Sequence, residues 1–315
     1  MNSPAPERPA ILVTAADLAP QALALLDGYD VVYAGRTPSE EDIVALCRAH
    51  DPVAIIVRYS KVGAAAMDAA PSLKVISKHG SGTDTIDKQA AQARGIAVVA
   101  AAGANAAAVA EQAMALLLAC VKSVVALDGR MHAGHWDKAT HKSTELAGKT
   151  LGLVGLGAIG RRVARMAASM DMRVIGFDPY ARDLPEAIQA VDLDAIWRES
   201  DAISLHCPLT EENRGMVNAE TLGRCRRGVV IVNTARGGLI DETALLQAVR
   251  QGQVLAAGLD SFATEPMHAG HPFQSEPNII LSPHIGGVTR EAYVKMGVAA
   301  AENALAVLRQ AAVPH

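Results

Sequence analysis

Leu151-Gly-Leu-Val-Gly-Leu-Gly-Ala-Ile-Gly-Arg-Arg-Val-Ala-Arg-Met166 is the stretch from which the rest of the chain is read. An apolar run, Leu151–Val154, leads straight into Gly155, Gly157 and Gly160, and apolar residues then recur at helical spacing through Met170. A GxGxxG pattern by itself is common, but between a strand and a helix it has a physical meaning. The first glycine permits the tight turn, the second lets a pyrophosphate approach the backbone, and the third lets helix meet strand. The helix start then offers amide donors and a positive dipole end to the phosphate. Asp178 closes the next apolar run, Arg173–Phe177, where an acidic side chain accepts hydrogen bonds from an adenosine ribose. A plain tight turn with a capping Asp, or a methyltransferase site, remains open from this segment alone.

Outward from this unit the same grammar repeats. Ile11–Thr14, Val31–Tyr33, Ala54–Val57, Lys74–Ser77 and Ile96–Val99 precede it; Ala202–His206, Val229–Asn233, Leu255–Asp260 and Asn278–Leu281 follow it. Their near-continuous apolar character implies strands covered on both faces, as in parallel sheets. Helical patterns alternate with them, which gives a doubly wound α/β architecture. Thr37-Pro-Ser-Glu40 reads as a capping box with Pro at the first helical position, opening a helix to about His50.

At 315 residues the chain exceeds one ordinary core. A second sheet starts afresh near Lys149, after a long helical segment from Asn105 to Met131 that goes with it. The last helix, Thr289 to Gln310, has no strand after it and is expected to pack back on the first domain. The expected division is a discontinuous domain, residues 1–103 and 285–315, and a nucleotide-binding Rossmann domain, residues 104–284.

Composition removes several classes of function. Half the residues are hydrophobic and a fifth charged, which excludes intrinsic disorder. Twenty-nine basic against thirty-three acidic residues leave no basic excess for nucleic acid. The four cysteines share no CxxC spacing, so neither a disulfide framework nor a zinc ribbon is expected. His132 and His135 suggest no third ligand nearby, and no metal is expected. Met1–Pro9 has no apolar core of a signal peptide, and the most apolar helical stretch, Ala113–Val121, is far short of the ~20 residues that cross a bilayer. The expectation is a cytoplasmic protein without membrane or nucleic-acid partners. His268 and His271 read as solvated loop residues, and Arg161, Arg162 and Arg165 as the exposed side of the glycine-turn helix.

Three polar residues each follow a different strand on the cofactor's side of the second sheet. Arg236 lies in Asn233-Thr-Ala-Arg-Gly-Gly238, Glu265 in Asp260-Ser-Phe-Ala-Thr-Glu-Pro266, and His284 in Ser282-Pro-His-Ile-Gly-Gly287. In open parallel sheets ligands sit at the carboxyl ends of strands. A guanidinium there clamps a carboxylate and polarises a neighbouring carbonyl. A His–Glu pair suits hydride chemistry: the imidazole moves the hydroxyl proton, and the carboxylate orients it and raises its pKa. Taken singly, Arg236 reads equally as a salt-bridge partner and His284 as a structural histidine.

These segments, with His79-Gly-Ser-Gly-Thr-Asp-Thr-Ile-Asp87, Asn105-Ala-Ala-Ala-Val-Ala-Glu111 and Asp201–Thr210, resemble in order and spacing the D-specific 2-hydroxyacid dehydrogenases. That group contains phosphoglycerate dehydrogenase, glyoxylate/hydroxypyruvate reductase, phosphite dehydrogenase and formate dehydrogenase. The resemblance implies two doubly wound domains, a Rossmann NAD domain and a flavodoxin-like substrate domain, with the active site between them. It implies that Arg236 holds the carboxylate and carbonyl oxygen of a 2-hydroxy or 2-oxo acid, and that Glu265 supports His284 as the acid/base. Ser81 and Gly82 would grip the substrate carboxylate. Gly155, Gly157, Ala158, Ile159, Gly160, Asp178, His206, Cys207, Pro208, Thr234, Ala235, Asp260, His284 and Gly286 would line NAD. Formate dehydrogenases usually carry Gln where this chain has Glu265, which argues against formate. The helix from Asn105 resembles the segment through which the family forms homodimers.

For the substrate's tail, Val57-Arg-Tyr-Ser-Lys-Val62 resembles the VRSxTKV segment of phosphoglycerate dehydrogenases. Arg58, Lys61 and Lys78 are therefore candidates for an anionic tail, as on 3-phosphoglycerate. Two departures stand against this: the loop at Tyr59-Ser60 is shorter and bulkier, and Lys78 replaces the group's usual Arg. With Arg58 and Lys61 as solvated charges, hydroxypyruvate or glyoxylate serves equally well. A different class of reading is a nucleotide-sensing corepressor on the same fold.

Overall fold

The computed structural model describes residues 8–311; the stretch read for a signal peptide falls mostly on residues 1–7, which, with the last four residues, lie outside it. The chain divides into two compact units, Met1–Asn105 with Gly287–His315, and Ala106–Gly286.

The first unit is built on β1 (Ala10–Val13), β2 (Asp30–Tyr33), β3 (Ala54–Val57), β4 (Val75–Lys78) and β5 (Ala97–Ala100). They form a five-stranded sheet in the order β2-β1-β3-β4-β5, parallel throughout. Side chains alternate between the faces, and both faces are covered. Ile11, Val13, Ala54 and Ile56 pack with Ala300, Ala301, Ala304 and Leu305 of helix Arg290–Ala311. Leu12, Ile55 and Val57 pack on the other side with Ile43 and Cys47 of helix Glu40–His50. Double coverage is why β1 and β3 are apolar at every position. The strand order reverses between β1 and β3, which makes the space beyond their carboxyl ends a topological switch point.

The second unit carries β6 (Thr150–Val154), β7 (Arg173–Phe177), β8 (Ile188–Ala190), β9 (Ala202–Leu205), β10 (Val229–Asn233), β11 (Val254–Leu259) and β12 (Ile279–Leu281). Their order is β12-β11-β10-β9-β6-β7-β8, a doubly wound parallel sheet whose switch point lies between β6 and β9. Leu151, Leu153, Val230 and Val232 face helices Ala106–Lys122 and Ala158–Ala168, while Val154, Ile203, Val229 and Ile231 face the opposite layer.

Several sequence expectations are corrected. The helix expected from Asn105 to Met131 is two helices, Ala106–Lys122 and Val124–His132, bent by 62° at a break. Ser123 makes that break in the left-handed region, at φ 54°. The capping box belongs to Ser39, not Thr37: the Asp42 N–H donates to Ser39 Oγ, and the Ser39 N–H donates to the Asp42 carboxylate. Pro38 therefore precedes the cap instead of opening the first turn. Strand β8 was not anticipated. Among the described residues no single helix is long and apolar enough to cross a membrane.

Candidate active site

The turn after β6 is built by steric necessity. Gly155 has φ +97°, and a Cβ there would lie 2.6 Å from the His206 carbonyl carbon and the Cys207 nitrogen. A Cβ on Gly160 would lie 2.1 Å from the Gly155 oxygen. Gly157 differs: its Cβ would meet nothing within 4 Å, so open space lies before the helix that begins at Ala158 and Ile159. No side chain caps that helix start. Asp178 is locked beside the turn, its Oδ2 accepting the Leu156 N–H at 2.8 Å and its Oδ1 the Tyr180 N–H at 2.9 Å. Each carboxylate oxygen has a second lone pair left for a ligand hydroxyl.

The neighbouring strands end in polar atoms with unmet hydrogen-bonding capacity. His206 Nδ1 after β9, Thr234 Oγ1 after β10 and Ser261 Oγ after β11 are buried without a partner. Buried polar groups are nearly always paired in native proteins, so three orphans along one sheet edge indicate that something else meets them there. The Gly157 cradle, the uncapped helix start, Asp178 and this edge together fit a bound dinucleotide. His206 Nε2 lies 2.9 Å from Ser204 Oγ, and burial holds its imidazole down at about 4, hence neutral. Burial pushes the Cys207 thiol up to about 11, so it is no thiolate nucleophile. Pro208 offers its carbonyl to Asn213, and the Ala235 N–H is held by Asn233.

His284 and Glu265 do pair. His284 Nδ1 lies 2.7 Å from Glu265 Oε2, and Glu265 Oε1 accepts the Phe262 N–H at 2.9 Å. The carboxylate's hydrogen bond raises the His284 pKa above the ordinary imidazole value, against burial and the Arg236 charge. Burial pushes the Glu265 carboxyl up, but His284, the Phe262 N–H and Arg236 outweigh it, and its pKa lies below the usual value. The imidazole side chain is 47% exposed, which leaves its other nitrogen open to a substrate.

His284 sits on a strained loop, at φ +53°. Buried Asp260 holds that loop: its Oδ1 accepts the Ile285 N–H at 3.0 Å and the Ser282 hydroxyl, and its Oδ2 accepts the Gly286 N–H at 2.7 Å. Sequence reading placed Asp260 and Gly286 along the cofactor, and nothing local signals this carboxylate-to-loop clamp. Arg236, half-buried, follows β10 and gives Nη1 to the Ala235 carbonyl at 2.8 Å, while Asn233 Nδ2 holds its own carbonyl. Gly237, next along, is pressed on the Glu265 loop: a Cβ there would lie 1.8 Å from the Phe262 carbonyl carbon.

The remaining candidates belong to the first unit. Ser81 Oγ donates to Asn105 Oδ1 at 3.1 Å, and Gly82 follows it in the loop after β4. Arg58 forms a salt bridge with Asp17, and the buried Lys78 ammonium donates to the Arg58 carbonyl. Lys61 borders a separate hollow with Glu40, Asp84 and Asp87.

Two surface readings change. Arg161 is not simply exposed: it gives three hydrogen bonds, to the carbonyls of Leu156 (2.9 Å), Asp183 (2.9 Å) and Arg182 (2.6 Å). His271 is half-buried, 3.3 Å from Glu242 and edge-on to Phe273. Backbone acceptors leave no mark in a sequence, which is why the Arg161 contacts were missed.

Comparison with known proteins gives these features a family. Residues 114–286 match the model of the D-isomer specific 2-hydroxyacid dehydrogenase, NAD binding domain. A hydroxypyruvate reductase of Thermotoga maritima is 43% identical over 253 residues, 80% of this chain and 83% of that protein. A D-3-phosphoglycerate dehydrogenase of Mycobacterium leprae is 42% identical over 265 residues, 83% of this chain; the chain spans only 50% of that protein's length. The crystal structure of the TT0316 protein from Thermus thermophilus superposes with a TM-score of 0.88 at 35% identity, over 96% of this chain and 97% of the other. The order of glycine turn, arginine loop, Glu–His pair and doubly wound sheets is thus an inherited one: the chain belongs to the D-isomer specific 2-hydroxyacid dehydrogenase family.

Proposed function

We propose that the protein is an NAD-dependent reductase that interconverts a small 2-oxo acid with its (R)-2-hydroxy acid, acting on hydroxypyruvate or glyoxylate. The observation that carries this reading is the 2.7 Å Glu265–His284 pair standing with Arg236 at the carboxyl edge of the sheet that bears the glycine turn. Bound nicotinamide supplies or accepts the hydride; the chain's own residues manage the carboxylate and the proton. Arg236 binds the substrate carboxylate and carbonyl oxygen through its planar fork. Nδ1–H of His284 stays on Glu265, so Nε2–H is the proton given to the carbonyl oxygen as it becomes a hydroxyl. In oxidation the neutral imidazole takes that proton back. Ser81 and Gly82 are assigned to the substrate carboxylate, and Gly157, Ala158, Ile159 and Asp178 to the dinucleotide.

The tail is read as uncharged because Arg58 is already answered by Asp17 and because the hydroxypyruvate reductase relative is matched over most of its length. Phosphoglycerate is the second reading, favoured by identity to a phosphoglycerate dehydrogenase over 83% of this chain. A panel of hydroxypyruvate, glyoxylate and 3-phosphohydroxypyruvate with NADH and NADPH tests the proposal. Turnover of hydroxypyruvate or glyoxylate with NADH in preference to NADPH supports it; no turnover of any of the three rejects it. Asp178 disfavours a 2′-phosphate by charge repulsion.

Arg161 is a positioning residue for the adenosine end. It ties the glycine turn to the loop after Asp178, so Arg161→Ala is expected to raise the NADH dissociation constant and KM about tenfold, with kcat at saturating NADH nearly unchanged. Fluorescence titration with NADH reads the binding; a fall in kcat with unaltered binding contradicts the assignment.

We also propose a homodimer. Helix Val124–His132 buries none of its residues, and Val124, Val125, Met131 and nearby Trp136 are large apolar side chains more than half exposed. Clustered apolar exposure of this kind marks association surfaces. Val125→Glu with Trp136→Glu is expected to convert the dimer to monomers in analytical ultracentrifugation; a wild-type monomer contradicts the proposal.

A further inference from the structure

A charged cluster in the first unit takes no part in the Glu265–His284 chemistry. It lies at the switch point of the five-stranded sheet, where open sheets of this strand order take their ligands. Asp17 follows β1 and Arg58 follows β3, and the salt bridge between Arg58 Nη1 and Asp17 Oδ1, at 2.8 Å, spans that point. Tyr293, from helix Arg290–Ala311, donates its hydroxyl to the same Oδ1 at 3.0 Å. The Arg58 guanidinium lies 5.0 Å from the Tyr293 ring centre and 5.2 Å from that of Tyr59. Its backbone is anchored too, the N–H donating to Thr14 Oγ1 at 3.1 Å and the carbonyl accepting from Lys78. Close by, the His79 ring packs 5.6 Å from Tyr293 with a buried, unpartnered Nε2.

The two halves of the salt bridge are unequal. The Arg58 side chain is 17% exposed and the Asp17 side chain 69%. Arginine is the built part of the site, walled by aromatic rings; the aspartate reaches in from the rim. We infer that Asp17 is a built-in anion on Arg58 that sets tail specificity, selecting against 2-oxo acids whose tail carries a second negative charge. The inference rests on the reductase reading above and deepens it. A phosphate or carboxylate approaching Arg58 must displace Asp17 or lie against its like charge, and like charges brought together lower affinity steeply. A hydrogen or hydroxymethyl tail meets neither obstacle. Removing the charge leaves Arg58 held by its backbone bonds and by both rings, and Asn in place of Asp17 retains an oxygen for the Tyr293 hydroxyl.

The test compares kcat/KM for hydroxypyruvate and 3-phosphohydroxypyruvate, with NADH, in wild type, Asp17→Asn and Asp17→Glu. Asp17→Asn is expected to raise the value for the phosphorylated substrate by about tenfold or more, leaving hydroxypyruvate within about threefold. Asp17→Glu, which keeps the charge, should keep the wild-type preference, and adding Arg58→Ala to Asp17→Asn should abolish the gain. An unchanged substrate ratio in Asp17→Asn, or equal gains for both substrates, overturns the inference. If wild type turns over neither compound, the reductase reading fails, and the Asp17 inference is then read from thermal shifts with D-3-phosphoglycerate and D-glycerate. Greater stabilisation by D-3-phosphoglycerate in Asp17→Asn than in wild type, with D-glycerate unchanged, supports it; equal shifts in the two proteins overturn it.

Discussion

His284→Ala is expected to lower turnover by roughly 10²–10⁴-fold, the usual cost of losing a positioned acid/base. NADH binding should be largely retained. The loop that carries His284 is held by Asp260 through the Ile285 and Gly286 amides and the Ser282 hydroxyl, none of which involves the imidazole. The side chain itself is about half exposed, so truncation opens no core cavity. Steady-state kinetics with NADH and hydroxypyruvate, beside a fluorescence titration of NADH, separates the two effects. Retention of more than half the wild-type rate contradicts the assigned role.

Gly237→Ala should be damaging for a different reason, one of backbone packing. A Cβ at Gly237 would lie 1.8 Å from the Phe262 carbonyl carbon and 2.1 Å from its oxygen. Both partners are main chain, on the segments that directly follow the paired strands β10 and β11, so neither can turn aside cheaply. A loss of about 3 kcal/mol or more in unfolding free energy is expected, with most of the activity, because the two loops carry Arg236 and Glu265. Gly238→Ala is the control: its nearest neighbour is the end of the Leu209 side chain at 2.8 Å, which can rotate. Urea denaturation of the two variants decides, and equal midpoints would refute the packing argument.

The parts of the molecule visible in the sequence are those where physics acts locally or on every residue of a run. Strands such as Val229–Asn233 announce themselves because both faces are buried and the run up to Val232 must be apolar at each position. The glycine turn is legible because Gly155 and Gly160 answer contacts only a few bonds away or one strand over. Arg236, Glu265 and His284 stand out in the sequence by their placement after strands, and in the structure two of them, Glu265 and His284, pair at 2.7 Å.

The misses share a cause in long-range or backbone partners. Ile188-Gln-Ala190 is too short to carry a period, and it becomes a strand only by pairing with β7. Ser123 ends a helix without the Gly or Pro that usually marks such a break. Thr37 and Ser39 are both good caps, and only the Asp42 bonds choose between them. Asp17 meets Arg58 across 41 positions, so an arginine that reads as a ligand-binding charge carries its counter-ion from the loop after a different strand. Arg161 binds carbonyls, which every residue possesses.

The most direct test of the account is the pH dependence of kcat/KM for hydroxypyruvate reduction in wild type and Glu265→Gln. Reduction needs His284 protonated, so the rate should be flat at low pH and fall as pH rises through the raised imidazole pKa. The Glu265 carboxylate favours the imidazolium, and an amide in its place cannot, so the pKa should drop and the fall should begin at lower pH. Glu265→Gln falling at lower pH than wild type is the predicted result. Coincident profiles would contradict the Glu265–His284 mechanism.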